Sequence, residues 1–131
     1  MKKTIMPFLM LVLLGLPPAK AECIENTVSQ EVDVCAKSAR DSADARLNSS
    51  YRNLLIRIKD QYQSDGKRGG DFATKLKESQ RAWLKLRDSN CVLEAFEVEA
   101  GKPAYMTTVN NCVAKMSLER SGYLDRLLPD I

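Results

Sequence analysis

The stretch QRAWLKLRDSNC, residues 80–91, decides the fold. It holds the only tryptophan of the chain, an Arg-Asp pair and one of four cysteines. At 100° per residue, Gln80, Trp83, Leu84, Arg87 and Cys91 share a helical sector about 100° wide. An alternating strand would scatter them over both faces of a sheet, so the segment reads as a helix with these side chains turned inward. Arg87 then sits within an apolar stripe, and a guanidinium there must find partners, because an uncompensated buried charge costs several kcal/mol.

The same period continues outward. Phe72, Leu76, Leu93 and Phe96 extend the stripe, so Asp71 is expected to cap a helix that runs to about residue 100, where Gly101 and Pro103 stop it. Upstream, Thr27 and Gln30 form a capping box for a first helix. Its small and apolar positions are Val28, Val32, Cys35, Ala39, Ala43, Leu47, Tyr51, Leu54, Ile58 and Tyr62. SDGKRGG, residues 64–70, ends it as a glycine-rich turn. A third helix is expected from residues 104–107 to Leu128, with Val109, Val113, Met116, Tyr123, Leu124 and Leu127 inward and Pro129 as its stop. The fold class is all-α, an antiparallel three-helix bundle. The first stripe advances about 3.8 residues per turn, which rotates the buried face by roughly 160° over residues 28–62. A kink or break near Asn48-Ser49-Ser50, or a helix that passes from one neighbour to another, is the expected remedy.

The N-terminus reads as a secretory signal peptide. Lys2 and Lys3 precede a short apolar run, Ile5 to Leu16, and Ala19-Lys20-Ala21 is a small-x-small cleavage site. Residues 1–21 are therefore set apart from a single domain at 22–131, in an exported, periplasmic protein. Glu22 before Cys23 does not suit lipid attachment, so a soluble form is expected. Cleavage takes Lys2, Lys3 and Lys20 with it and leaves 17 basic against 17 acidic residues. A near-neutral chain offers no charge-driven grip on nucleic acid or on an anionic membrane.

Cys23, Cys35, Cys91 and Cys112 all lie in the mature chain. An even count in an exported protein suggests two disulfides. No CxxC spacing and no histidine is present, so neither a metal site nor a cofactor is indicated. Four cysteines allow three connectivities. Cys91 lies ten residues before Gly101 and Cys112 nine after Pro103, level on inward faces of one helical hairpin, which favours Cys91–Cys112 and leaves Cys23–Cys35.

The same register places Asp44 level with residue 90 and puts Arg87 and Arg120 within about one turn of that height. An internal ion network of Asp44, Arg87, Asp88 and Arg120 is inferred, with Gln80 and Asn90 nearby and Trp83 able to stack on an arginine. With no histidine to serve as base and the thiols oxidised, nothing points to an enzyme.

DARLNSSY (Asp44 to Tyr51), QRAWLKLRDSNC and Cys112-x4-Ser117-x2-Arg120 together resemble the LprI-like lysozyme-inhibitor family. Its pattern runs D-x-x-L-N-x-x-Y, Q-x-x-W-x-x-x-R-D-x-x-C and C-x4-T-x2-R, with Ser117 here in the threonine position. The resemblance implies a small exported helical protein that binds a protein partner, a lysozyme or other cell-wall hydrolase. An immunity or accessory protein for another periplasmic toxin or hydrolase is the alternative. A muramidase cleft works through two carboxylates, so exposed cations on a turn suit it. Lys67 and Arg68 in the first turn, and Lys102 with an exposed Tyr105 in the second, are the candidate inhibitory residues.

Overall fold

A computed structural model describes residues 29–129; the expected leader, the Thr27 cap and Cys23 lie outside them. Three helices account for nearly all of that length: α1 Ser29–Gln61, α2 Gly66–Glu94 and α3 Pro103–Arg126. Sequential helices are antiparallel and joined by short turns, so α1 and α3 run parallel. The all-α three-helix architecture stands as expected. Within it, α1 packs most extensively on α3.

α1 is one uninterrupted helix, and the break expected at residues 48–50 does not occur. The buried face consists of Ala36, Ala43, Leu47, Ser50, Leu54 and Ile58, with half-buried Arg40 between the first two. From Ala36 to Ile58 this stripe takes about 22 residues over six turns, close to the period of a straight helix. The apparent drift arose from counting Val32 and Ala39, which are exposed, and from passing over Ser50, which is buried. Small residues set this choice. Ala36, Ala43 and Ser50 on α1, with Ala114, Ser117 and Ser121 on α3, are buried side chains of little bulk. They let the two helix backbones approach closely.

The core has two parts. Leu47, Leu54, Ile58, Leu76 and Leu124 form the larger, flanked by Tyr51, Tyr62, Phe72 and Trp83. Cys91, Cys112 and Val113 form the smaller, flanked by Val109 and Met116. Two members expected in the α2 stripe are not in it: Leu93 is 71% exposed and Phe96 77%. The helix ends at Glu94, before the turn that carries Phe96, and Ala95 takes the inward place instead. Tyr123 is likewise exposed.

The helix ends explain the turns. Asp65, not Asp71, caps α2: its carboxylate accepts the Arg68 backbone N–H at 3.1 Å. The helix thereby begins at Gly66, inside the segment expected to be a loop. Gly69 is required there, because a Cβ would lie 2.9 Å from Tyr62 Cβ. At the other end, Gly101 adopts φ +91° and Pro103 opens α3. Carbonyls at and just beyond the end of α3 are served from α1. Arg57 donates to Leu124 O at 2.9 Å and to Leu127 O at 3.1 Å, and Gln61 donates to Pro129 O at 3.1 Å.

Candidate functional site

The polar network lies where α1, α2 and α3 meet. Arg87, 7% exposed, donates through Nη1 to Asp44 Oδ1 at 2.9 Å and to Ser117 Oγ at 3.1 Å. The Ser117 hydroxyl donates to the same Asp44 oxygen at 3.1 Å. Nε and Nη2 of Arg87 reach Asp88 Oδ1 at 2.9 and 2.8 Å. One guanidinium on α2 thus ties Asp44 of α1 and Ser117 of α3 to its own neighbour, Asp88. Ser117, which lacks the methyl group of a threonine, supplies the hydroxyl that closes the triangle.

Arg120 joins this group differently from expectation. It meets no carboxylate; its Nε donates to Gln80 Oε1 at 3.1 Å and its Nη2 to Ser79 Oγ at 2.9 Å. Its link to the rest is Trp83, whose ring centroid lies 5.6 Å from Arg120 Cζ and 5.5 Å from Arg87 Cζ. Tyr123 receives the same guanidinium at 4.8 Å. Burial lowers the Arg120 pKa from its ordinary value, against an opposing effect of Tyr123. A ring shared by two cations keeps both in fixed places through its negative face.

A further polar seam runs along α1 and α3. Arg40 donates to Asn110 Oδ1 at 3.1 Å, Thr107 donates to Asp33, and Arg46 meets Asp125 at 3.2 Å. Asp125 is held below the usual carboxylate range, first by a hydrogen bond from buried Ser50 and then by Arg46. These contacts escaped the sequence reading, since a serine or asparagine at a helical core position looks like a surface residue. Among the described residues no buried side-chain polar atom lacks a partner. The buried part of the network is thus fully hydrogen-bonded, while its carboxylates reach solvent: the Asp44 side chain is 35% exposed and that of Asp88 63%.

The cysteines divide. Cys91 and Cys112 are bonded, 21 residues apart in sequence, at the height expected from the hairpin. It is the one bridge with both ends among the described residues. Cys35 is not a free thiol. Among the described residues no group of three or more His, Cys, Asp or Glu is placed to hold a metal ion, and no helix is long and apolar enough to cross a membrane.

The four candidate inhibitory residues are not brought together. Lys67 and Arg68 lie in the first turn of α2, on a helix rather than a glycine loop. Arg68 rests over the Tyr62 ring at 5.7 Å. Beside them, Leu55, Ile58, Tyr62, Gly66, Gly69 and Gly70 line an apolar groove of about 460 Å³. Lys102 and Tyr105 lie at the opposite end of α2, roughly 40 Å away for a helix of this length. Lys102 caps α3 and approaches Glu99 at 3.7 Å, and Tyr105 is half-buried rather than exposed.

The geometry defines a class: a small, disulfide-stapled helical scaffold with a hydrogen-bonded polar network between its helices and two exposed ends. Comparison with known proteins then places it. Residues 23–124 match the family described as lysozyme inhibitor LprI, and the chain belongs to that family. It is 31% identical to an uncharacterized protein, R02472, of Rhizobium meliloti (strain 1021), over 93% of each chain. Its fold is similar to a crystal structure of a DUF1311 family protein from Pseudomonas putida KT2440, with a TM-score of 0.70 and 28% identity, covering 78% of this chain and 95% of that one.

Proposed function

We propose that this protein is an exported inhibitor that acts in the periplasm, binding a lysozyme-type cell-wall hydrolase and blocking its substrate cleft without catalysing a reaction. The observation that carries this reading is the family match over residues 23–124. The hydrogen-bonded interior is in keeping with it, because a network whose buried polar atoms are all satisfied serves to fix helix register. Recognition then falls to the exposed ends. The reading includes removal of residues 1–21 after Ala21, a mature domain at 22–131 and a second bridge, Cys23–Cys35, tying the N-terminal segment to α1.

Occlusion uses one end of the bundle, since roughly 40 Å separates them. Lys67 and Arg68 serve the α1–α2 end, and Lys102 and Tyr105 the α2–α3 end. Either pair would bring a cation to a cleft whose chemistry depends on two carboxylates. The test is a cell-wall lysis assay with purified protein and lysozymes of several classes, comparing the wild type with Lys67→Ala/Arg68→Ala and Lys102→Ala/Tyr105→Ala. The wild type should slow lysis by at least one class, and one double variant should lose most of that effect. Failure of the wild type against every class at large excess would contradict inhibition and leave an immunity or accessory role toward another hydrolase.

A further inference from the structure

The α2–α3 turn displays apolar surface that the bundle does not use. Phe96 and Leu93 are the most exposed large apolar residues there, followed by Val92 at 54% and Met106 at 47%. Val92, Phe96, Val98 and Tyr105 line a shallow groove of about 470 Å³, with Glu97 and Glu99 on its wall.

This surface is held in place. Cys91, at its base, is fully buried and bonded to Cys112. Ala95 is fully buried and pins the turn from below. Backbone hydrogen bonds follow one another through it: Ala95 to Cys91, Phe96 to Leu93, Val98 to Ala95 and Lys102 to Glu99, all at 3.0–3.3 Å. Phe96 is thus presented to solvent by an ordered turn. Exposed aromatic residues on a pre-organised base are the usual anchors of protein interfaces, because little entropy remains to be lost on binding.

Charge selects the partner. Glu94, Glu97 and Glu99 are exposed, and between residues 92 and 106 they face one cation, Lys102, itself 3.7 Å from Glu99. A second copy docking on this face would set glutamates against glutamates. We propose that the α2–α3 turn is the docking surface for a cationic protein, whose apolar side chain enters the groove beside Phe96 while its lysines or arginines meet Glu94, Glu97 and Glu99. The inference rests on the proposed function only in taking the natural partner to be a cell-wall hydrolase.

Two measurements test it. In the first, binding of a cationic c-type lysozyme is followed by calorimetry. Phe96→Ser should weaken it about tenfold or more. Glu94→Gln/Glu97→Gln/Glu99→Gln should weaken it about three- to tenfold and flatten its salt dependence. Leu86→Ala, at an exposed apolar residue on mid-α2, should leave it unchanged. In the second, the unmodified protein is titrated by NMR with a synthetic peptide alternating lysine and leucine, and shifts should concentrate at residues 92–106. Lysozyme binding that ignores Phe96→Ser overturns the surface while the inhibitor reading stands. No binding of this lysozyme, with peptide shifts confined to 92–106, supports the surface and removes c-type lysozymes from its partners. Peptide shifts that are absent or centred elsewhere overturn the surface whatever the lysozyme result.

Discussion

Arg87 Nη1 and Ser117 Oγ converge on a single oxygen, Oδ1 of Asp44, at 2.9 and 3.1 Å. This point joins all three helices, and its partners are almost wholly withdrawn from water: Arg87 is 7% exposed and Ser117 fully buried. Arg87→Ala leaves Asp44, whose side chain is 35% exposed, with Ser117 as its remaining partner and should cost about 2–3 kcal/mol in urea unfolding. Asp44→Ala should cost less, about 1–2 kcal/mol, because Asp88 still holds the guanidinium. The double variant should show a coupling of about 1 kcal/mol or more; strict additivity would contradict the shared contact.

The Cys91–Cys112 bridge spans 21 residues. Chain-entropy reasoning gives it about 3 kcal/mol. Cys91→Ala/Cys112→Ala should therefore lower the unfolding free energy by about that amount while keeping the helical circular dichroism. A non-reducing peptide map should recover Cys91 and Cys112 in one linked fragment; finding them in different bridges would contradict the pairing.

Three glycines at the start of α2 have separable roles. A Cβ at Gly66 or Gly70 meets nothing within 4 Å, whereas one at Gly69 meets Tyr62 Cβ at 2.9 Å. Gly70→Ala should raise stability by about 0.5–1 kcal/mol through helix propensity and a less free unfolded chain. Gly69→Ala should lower it by about 1–3 kcal/mol, because α1 and α2 must separate at their turn. Thermal unfolding of both variants checks the opposite signs.

Much of this arrangement was readable from residue spacing. Gln80, Trp83, Arg87 and Cys91 share a face because their steps are three and four, and register through the turn paired Cys91 with Cys112. The failures have a common physical origin. Apolar periodicity counts hydrophobic residues, but α1 and α3 meet on alanine and serine, so Ser50, Ser117 and Ser121 were invisible and Val32 was wrongly turned inward. Phe96 and Leu93 were assigned to the core for the same reason, since an apolar residue in helical phase looks identical whether buried or offered to a partner. The α2 start shifted because Asp65, one residue before Gly66, was not read as a cap. Asp44, Arg87 and Asp88 meet in the structure, yet no spacing rule shows that Arg120 is satisfied by Gln80, Ser79 and two aromatic rings.

Asp125 titrates below its usual range because Ser50 and Arg46 favour the charged form. A depressed folded pKa adds stability that is fully present above the unfolded value, about 4 for aspartate, and is lost as pH falls through the folded value. Wild type should therefore exceed Asp125→Asn in stability at pH 6, with the gap closing below about pH 4. A gap that persists unchanged at pH 2 would contradict this role.

The proposal is that the interior of this family scaffold holds the bundle and that one exposed end binds a hydrolase. The most direct measurement is the rate of cell-wall lysis by a c-type lysozyme against increasing purified protein, wild type beside Phe96→Ser and Arg87→Lys. Wild type should slow lysis to a saturating limit, Phe96→Ser should need about tenfold more protein, and folded Arg87→Lys should inhibit as wild type does. Equal inhibition by wild type and Phe96→Ser, with loss confined to Arg87→Lys, would contradict the account by placing function in the polar interior.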